Sequence, residues 1–361
     1  MKKTVTKLAD GRALVYYDSR DDVVRDAPDH RPLDPISTTS EIRHDALLGD
    51  AVAIASHRQG RTYHPPADEC PLCPSRDGRL SEIPDEDYDV AVFENRFPSL
   101  AGDAGRCEVI CFSSDHDASF ADLTEEQAGL VLAAWTDRTA ELAELPEVEQ
   151  VFPFENRGAE IGVTLGHPHG QIYAYPFVTP RSALMLRNAA AHRAETGRNL
   201  FDDILARETA PDGHGDVDGD GGGDSGGRVV LAGEHWVAFV PYAAHWPYEV
   251  HLYPRRRVAD LRGLDEAART EFPQIYLELL KRFDRIFGEG EPLTPYIAAW
   301  HQAPFRAAGR EEFALHLELF TIRRTSGKLK FLAGSESGMS VFINDVPPEA
   351  AAERLREVAS K

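Results

Sequence analysis

The chain has 361 residues, with 39 Lys and Arg against 60 Asp and Glu, a formal net charge of −21, and 42% hydrophobic content. That is enough for one large fold or two fused domains, each with its own core. The acidic balance, with Arg255-Arg256-Arg257 as the densest basic cluster, argues against a nucleic-acid partner, because polyanion binding needs a basic face. No apolar run approaches the ~20 residues that span a bilayer, so no membrane partner is expected. Met1-Lys2-Lys3 is followed by polar residues, which does not read as a secretory signal. The expectation is a cytoplasmic protein in a reducing compartment.

The first chemical motif is Cys70-Pro71-Leu72-Cys73. Without a disulfide context, two thiols at this spacing suit two corners of a tetrahedral zinc site. The other two corners have candidates in His116, within Ser114-Asp115-His116-Asp117, and His167. A redox pair is the alternative, but no thioredoxin-like pattern surrounds it. Cys107 and Cys111 lie in an apolar strand and read as core.

Strand patterns follow at Val90–Phe93 and Glu108–Phe112, then Ala121-Asp122-Leu123. Thr124 and Gln127 make a capping box, with Leu130, Val131, Ala134, Trp135, Leu142 and Leu145 at helical spacing behind it. The same order returns later in the chain. Val237–Val240 and Glu249–Tyr253 are strands, Ala259-Asp260-Leu261 follows, and Asp265 caps a helix carrying Phe272, Ile275, Tyr276, Leu279, Phe283 and Ile286, ended by Gly288. Glu108 to Glu249 and Thr124 to Asp265 are both 141 positions apart. The repeat predicts a duplicated α+β unit with antiparallel sheet, residues 1–180 forming one copy and 181–361 the other. Between the flanks, 211–227 reads PDGHGDVDGDGGGDSGG and is expected to be a flexible acidic loop. Its Asp-rich start lacks the Glu that a calcium loop carries at position twelve, where Gly227 stands.

The densest chemistry runs from Phe154-Glu155-Asn156-Arg157-Gly158 through Gly162, Thr164 and Gly166 into His167-Pro168-His169-Gly170-Gln171. The glycines at 158, 162, 166 and 170 permit positive φ or close backbone approach to a ligand, and exposed N–H groups there can cradle phosphate. His167 and His169 lie two apart, so in extended chain both face one side. One can bind metal while the other reacts. Neutral imidazole is a good phosphoryl acceptor near neutral pH.

These residues resemble the active-site signature of the galactose-1-phosphate uridylyltransferase family, within the histidine-triad superfamily. The resemblance also takes in Cys70-x-x-Cys73, Val109–His116, Glu234-His235-Trp236, Trp300–Phe305 and Lys330-Phe331. It implies duplicated histidine-triad-like units forming an antiparallel half-barrel sheet flanked by helices. It implies conversion of UDP-glucose and galactose 1-phosphate to glucose 1-phosphate and UDP-galactose through a uridylyl-His169 intermediate. By the same resemblance the carbonyl of His167 orients the His169 ring, Gln171 bonds the phosphoryl group, and Gly162 and Thr164 lie on the phosphate side. Arg58 and Arg61 become phosphate- and nucleotide-side arginines, and Phe93, Asn95 and Phe97 the uridine-side wall, with Asn156 nearby. Lys330, Phe331, Gly334 and Glu336 match a segment that reaches the sugar phosphate of a partner subunit, which implies a homodimer with shared active sites. Zn2+ is the implied metal. A second metal, Fe or Zn, is implied at His301 and His316, with Glu318 where the family has a third histidine and Met185 where it has an upstream Glu. Gln171 replaces the third histidine of the superfamily's hydrolases and cannot donate a proton as His⁺ does, so the intermediate is expected to outlast attack by water. Two alternatives stand beside this reading: an ADP-sugar phosphorylase or adenylyltransferase, and a non-catalytic zinc-stabilised nucleotide-sugar-binding protein.

Overall fold

A computed structural model describes residues 1–35, 38–60, 65–76, 78–210 and 226–360. Arg61, and residues 211–225 of the expected acidic loop, lie outside the described residues. The chain divides into two compact units.

The first unit comprises Met1–Glu155, Gly162–Ala183 and Pro304–Ala308. Its strands are β1 (Lys2–Lys7), β2 (Ala13–Asp18), β5 (Val90–Glu94), β6 (Arg106–Cys111), β7 (Gln150–Arg157) and β8 (His169–Tyr175), with β3 (Glu41–His44) and β4 (Ala51–Ile54) in a separate hairpin. The main strands run in the order β1-β2-β5-β6-β8-β7. Each neighbouring pair in that order is antiparallel. Helix α1 (Glu125–Ala143) starts at the expected capping box, Gln127 N donating to Thr124 Oγ1 and Thr124 N to Gln127 Oε1. Alternation along β6 gives the sheet two apolar faces. Glu108 and Phe112 face α1, Glu108 in a buried bidentate pair with Arg138 and Phe112 edge-on to Phe120 and Trp135. Val109 and Cys111 point the other way, joining Cys70, Leu72, Cys73, Tyr88 and Phe93 in a second buried cluster. Burial of each large apolar side chain there is worth about 1.5–3 kcal/mol. The Cys-x-x-Cys loop is thereby packed onto the sheet face opposite α1.

The second unit comprises Asn156–Ile161, Leu184–Ala303 and Gly309–Lys361. After α2 (Pro180–Thr196) and α3 (Leu200–Glu208) come β9 (Val229–Ala232), β10 (Trp236–Phe239), β11 (Tyr248–Pro254), α4 (Glu266–Arg285), β12 (Tyr296–His301) and β13 (His316–Thr321). The small hairpin β14 (Arg323–Thr325) and β15 (Lys328–Leu329), α5 (Gly334–Met339) and α6 (Pro348–Glu357) complete it. The sheet order is β9-β10-β11-β13-β12. This repeats β2-β5-β6-β8-β7 strand for strand, with one helix between the third and fifth strands in each case. Asp265 caps α4 by accepting from Ala268 N at 2.9 Å, as its position predicts. Trp236, its ring tilted against Phe272 at 5.4 Å and its indole N–H donating to Ala268 O, marks the face that α4 covers.

The pairing register corrects the 141-residue offset. Glu108 lies on the helix face of its sheet, whereas Glu249 lies on the face away from α4, beside His251. In the first unit Cys111 pairs with His169. In the second, Leu252 pairs with Leu317, which sets Tyr253 against His316, their rings stacked at 4.7 Å. β6 and β11 therefore superpose at an offset of 142 rather than 141, and a one-residue slip exchanges the faces. In that register His316-Leu317-Glu318 occupies the place of His169-Gly170-Gln171.

Candidate active site and metal centres

β8 presents His169, Gln171, Tyr173 and Tyr175 on one face, half-buried, while Gly170, Ile172 and Ala174 are buried on the other. Gly170 is required by packing rather than by a ligand. A Cβ there would come within 2.8 Å of the Phe112 ring and the Phe154 carbonyl oxygen, so the expectation of close ligand approach at this glycine gives way to close strand packing. Gly158 and Gly162 do take positive φ, 105° and 84°.

His169 Nδ1 lies 2.7 Å from the carbonyl oxygen of His167. A carbonyl can only accept, so Nδ1 carries a proton, and in the neutral ring the lone pair is on Nε2. The same contact recurs at the matching position of the other unit, where His316 Nδ1 is 2.8 Å from Ala314 O.

The four zinc candidates come together. One ligand atom each from Cys70, Cys73, His116 and His167 lies within 4.8 Å of the others. Cys73 Sγ is 3.2 Å from His116 Nδ1 and 3.5 Å from His167 Nδ1. The edges of a tetrahedron with zinc bonds to sulfur and nitrogen are roughly 3.5 Å, so the donors fit such an ion. His167 Nε2 donates to Ser113 O at 2.8 Å, which leaves Nδ1 as the metal-facing atom. Burial pushes the His167 pKa down to about 4, so the ring is neutral, as a ligand must be. One supporting residue carries no signal in the sequence. The Tyr88 hydroxyl donates to Leu72 O at 3.0 Å and lies 2.7 Å from His167 Nε2. It ties the Cys-x-x-Cys loop to the histidine strand, and no spacing rule announces it. Cys107 and Cys111 are fully buried and unbridged, as expected.

Other expected contacts divide between the units. In the first, Arg58 donates to Ser99 Oγ. Asn95 Oδ1 accepts from Phe97 N at 2.8 Å. Phe93 is only 3% exposed, inside the cluster around Cys70 and Tyr88 with Arg12 over its ring. Thr164 is half-buried and Gly162 exposed. In the second unit, Asn156 is the next-to-last residue of β7 and is half-buried. Lys330 is buried, donating to Glu336 Oε1 at 2.8 Å and to Ile343 O. Gly334 opens α5, and Phe331 is 74% exposed.

His301, His316 and Glu318 also converge, buried on the face away from α4. His301 Nε2 is 3.3 Å from one Glu318 oxygen and His316 Nε2 3.7 Å from the other. His251, missed in the sequence, is 3.7 Å from Glu318 and donates to Glu249 at 2.9 Å. The alternating Glu249-Val250-His251 was its signal, one strand away from His316-Leu317-Glu318. Burial alone would raise the Glu318 pKa, but the His301 and His251 imidazoles outweigh it and hold the carboxyl well below its usual range. Met185, where an upstream carboxylate would stand, packs instead against the apolar cluster of Phe201, Phe313 and Ala314.

Family models for the galactose-1-phosphate uridyl transferase N-terminal domain and C-terminal domain match residues 100–179 and 224–361. The galactose-1-phosphate uridylyltransferase of Streptomyces lividans is 66% identical, over 99% of this chain and 98% of that protein. That of Thermotoga maritima is 34% identical over 88% and 98%. A solved uridylyltransferase structure covers 88% of this chain and 97% of its own, with TM-score 0.73 and 28% identity.

Proposed function

The chain belongs to the galactose-1-phosphate uridylyltransferase family, and we propose that it exchanges the sugar phosphate of UDP-glucose for galactose 1-phosphate through a covalent adduct on His169 Nε2. The contact between His169 Nδ1 and His167 O carries this reading. It fixes the tautomer of the neutral ring that leaves the nucleophilic lone pair on Nε2. In the first half-reaction that lone pair attacks the α-phosphorus. A P–N bond forms, the bond to the bridging oxygen breaks, and glucose 1-phosphate leaves. In the second, a phosphate oxygen of galactose 1-phosphate attacks the same phosphorus and the P–N bond breaks. Gln171, on the same strand face, offers its amide to the phosphoryl oxygens without supplying a proton. Thr164, Gly162 and Arg58 are assigned to the phosphates, Arg61 and Asn95 to the nucleotide with Asn156, and buried Phe93 to the support beneath it.

Cys70, Cys73, His116 and His167 would hold zinc with no open position, so its part is to fix the strand that carries His169. His301, His316 and Glu318 can accept iron or zinc. With Glu249 and His251 already completing a hydrogen-bonded set there, we take that cluster to hold its shape without a tightly bound ion. A homodimer with shared sites is supported by the exposed apolar run of Phe331, Leu332, Met339, Val341 and Ile343. Phe331 and Gly334 would then face a partner's sugar phosphate, with the buried Lys330–Glu336 pair behind them and turning to it only on rearrangement of that segment. A cytoplasmic location is supported by four unbridged cysteines; no helix among the described residues is long and apolar enough to cross a membrane.

Isotope exchange tests the reaction. Labelled glucose 1-phosphate should enter UDP-glucose with no galactose 1-phosphate present, and His169→Ala should stop it. Absence of exchange in a protein that still makes UDP-galactose would replace the covalent route with direct transfer. Equal exchange into ADP-glucose would move the assignment to an adenylyl carrier.

A further inference from the structure

Asn156–Ile161 belongs to the second unit, although Glu155 before it and Gly162 after it belong to the first. The side chains of this turn show what holds it there. Arg157 grips Asp284, in the last turn of α4, as a fork: Nη1 donates to Oδ2 at 3.2 Å and Nη2 donates to Oδ1. Nε and Nη2 also donate to Thr294 O, at 3.2 and 2.6 Å. Thr294 Oγ1 donates to Phe283 O at 2.6 Å, so the two acceptors of Arg157 are themselves joined. The guanidinium lies 4.2 Å from the centre of the buried Tyr296 ring, a cation–π contact. Three residues on, Glu160 Oε1 accepts from Arg323 Nη2 at 2.7 Å, and Arg323 Nη1 donates to Pro292 O at 3.0 Å. Between them, a Cβ on Gly158 would come within 2.6 Å of Pro295 Cβ. The turn is thus tied at each end, by its own Arg157 and by Arg323 of β14, and its middle is pressed against Pro295.

We propose that Arg157 and Glu160 are positioning residues, which seat this turn so that Asn156 at its start and Gly162 and Thr164 after it are set for the nucleotide sugar before it arrives. This rests on the assignment of those three residues to the substrate. Arg157 is not itself a ligand group: its Nε, Nη1 and Nη2 are all engaged within the second unit, and Tyr296 covers one face of its plane. Gly158 and Gly162 both take positive φ, 105° and 84°, and glycine has the most conformational freedom to lose. An untied segment carrying them would have to be ordered by the substrate, which weakens binding. The two ties do that ordering beforehand. The effect falls on one half-reaction more than on the other. UDP-glucose reaches the site from solution, whereas galactose 1-phosphate meets a uridylyl group already bonded to His169, whose hold no longer depends on the turn.

The test is steady-state kinetics on the full-length zinc-loaded enzyme, giving kcat/KM for UDP-glucose and for galactose 1-phosphate separately. In a ping-pong scheme each value reports its own half-reaction. Unfolded protein lowers both equally, so their ratio is independent of how much of a variant is folded. Arg157→Gln, which takes the fork from Asp284, should lower the UDP-glucose value about tenfold and the galactose 1-phosphate value by less than about twofold. Glu160→Gln should move the ratio the same way by less. Gly158→Ala, which touches no charge, should move it too, by pushing the turn off Pro295. Arg157→Lys, which keeps the charge but not the fork, should recover part of the loss. If Arg157→Gln lowers both values equally, or neither, the ties serve stability alone and the proposal falls, while the covalent route stands. If the unsubstituted enzyme gives intersecting rather than parallel double-reciprocal lines, the covalent route fails, and the proposal with it.

Discussion

His169 and His316 make the same hydrogen bond in the two halves of the chain, each donating from Nδ1 to the carbonyl oxygen two residues before it, at 2.7 and 2.8 Å. The duplication therefore carried the histidine geometry into both units, and the residue two positions beyond each histidine separates them. Gln171 stands beyond His169, half-buried on an accessible face; Glu318 stands beyond His316, in a cluster closed to solvent. If the neutral Gln171 is what protects the intermediate, Gln171→His should speed its loss to water. Uridine monophosphate released from UDP-glucose without galactose 1-phosphate should rise at least ~10-fold, the low end of what a placed acid–base group supplies. Unchanged release would assign the protection to exclusion of water.

The Cys70, Cys73, His116 and His167 set predicts one firmly held zinc per chain. Cys73→Ser should lose that zinc and lower the melting temperature markedly, since metal-binding energy is also folding energy. Elemental analysis with thermal melting checks it. A variant that keeps full zinc content would break the ligand assignment. Tyr88→Phe, with the phenyl ring kept in its cluster, should loosen the metal about 10-fold in a chelator competition, the lower end for a residue that orients a ligand.

The Glu108–Arg138 pair has side chains only 5% and 7% exposed. Glu108→Ala leaves a buried guanidinium without its bidentate acceptor and should cost about 3–5 kcal/mol in urea unfolding. It lies on the α1 face of β6, so the KM for either sugar phosphate should not move. A large KM change with full stability would contradict the face assignment.

Acid should destabilise the second unit through His316. Burial lowers its pKa from 6.5 to about 4. Above pH 6.5 the ring is neutral in both folded and unfolded chain. Between 6.5 and 4 the unfolded chain takes a proton that the folded one does not. Stability is therefore full above 6.5 and falls as pH drops towards 4, by roughly 3 kcal/mol at most from this ring. His316→Gln should flatten that limb in metal-free protein, measured by unfolding midpoints across the window. An unaltered limb would place the titrating group elsewhere.

Local motifs were legible because their chemistry lies within a few residues. Cys70-x-x-Cys73, His167-x-His169 and the caps at Thr124 and Asp265 needed no tertiary knowledge. The approximate repeat was legible too, but its register was not. One residue of slip exchanges the two faces of a strand, and only the pairing of Cys111 with His169 and of Leu252 with Leu317 set it. The supporting residues were hidden for a related reason. Tyr88 lies 79 positions from His167; the fold brings them together, and spacing carries no trace of it. Helices α2 and α5 escaped notice because much of each is exposed and no apolar stripe marks them.

The central claim is that His169 Nε2 carries the uridylyl group, and intact-protein and peptide mass spectrometry after brief mixing with UDP-glucose tests it most directly. The account predicts one uridylyl adduct per chain, mapped to His169, absent in His169→Ala and discharged by galactose 1-phosphate. An adduct on another residue, or none in zinc-loaded protein that still turns over, would contradict it.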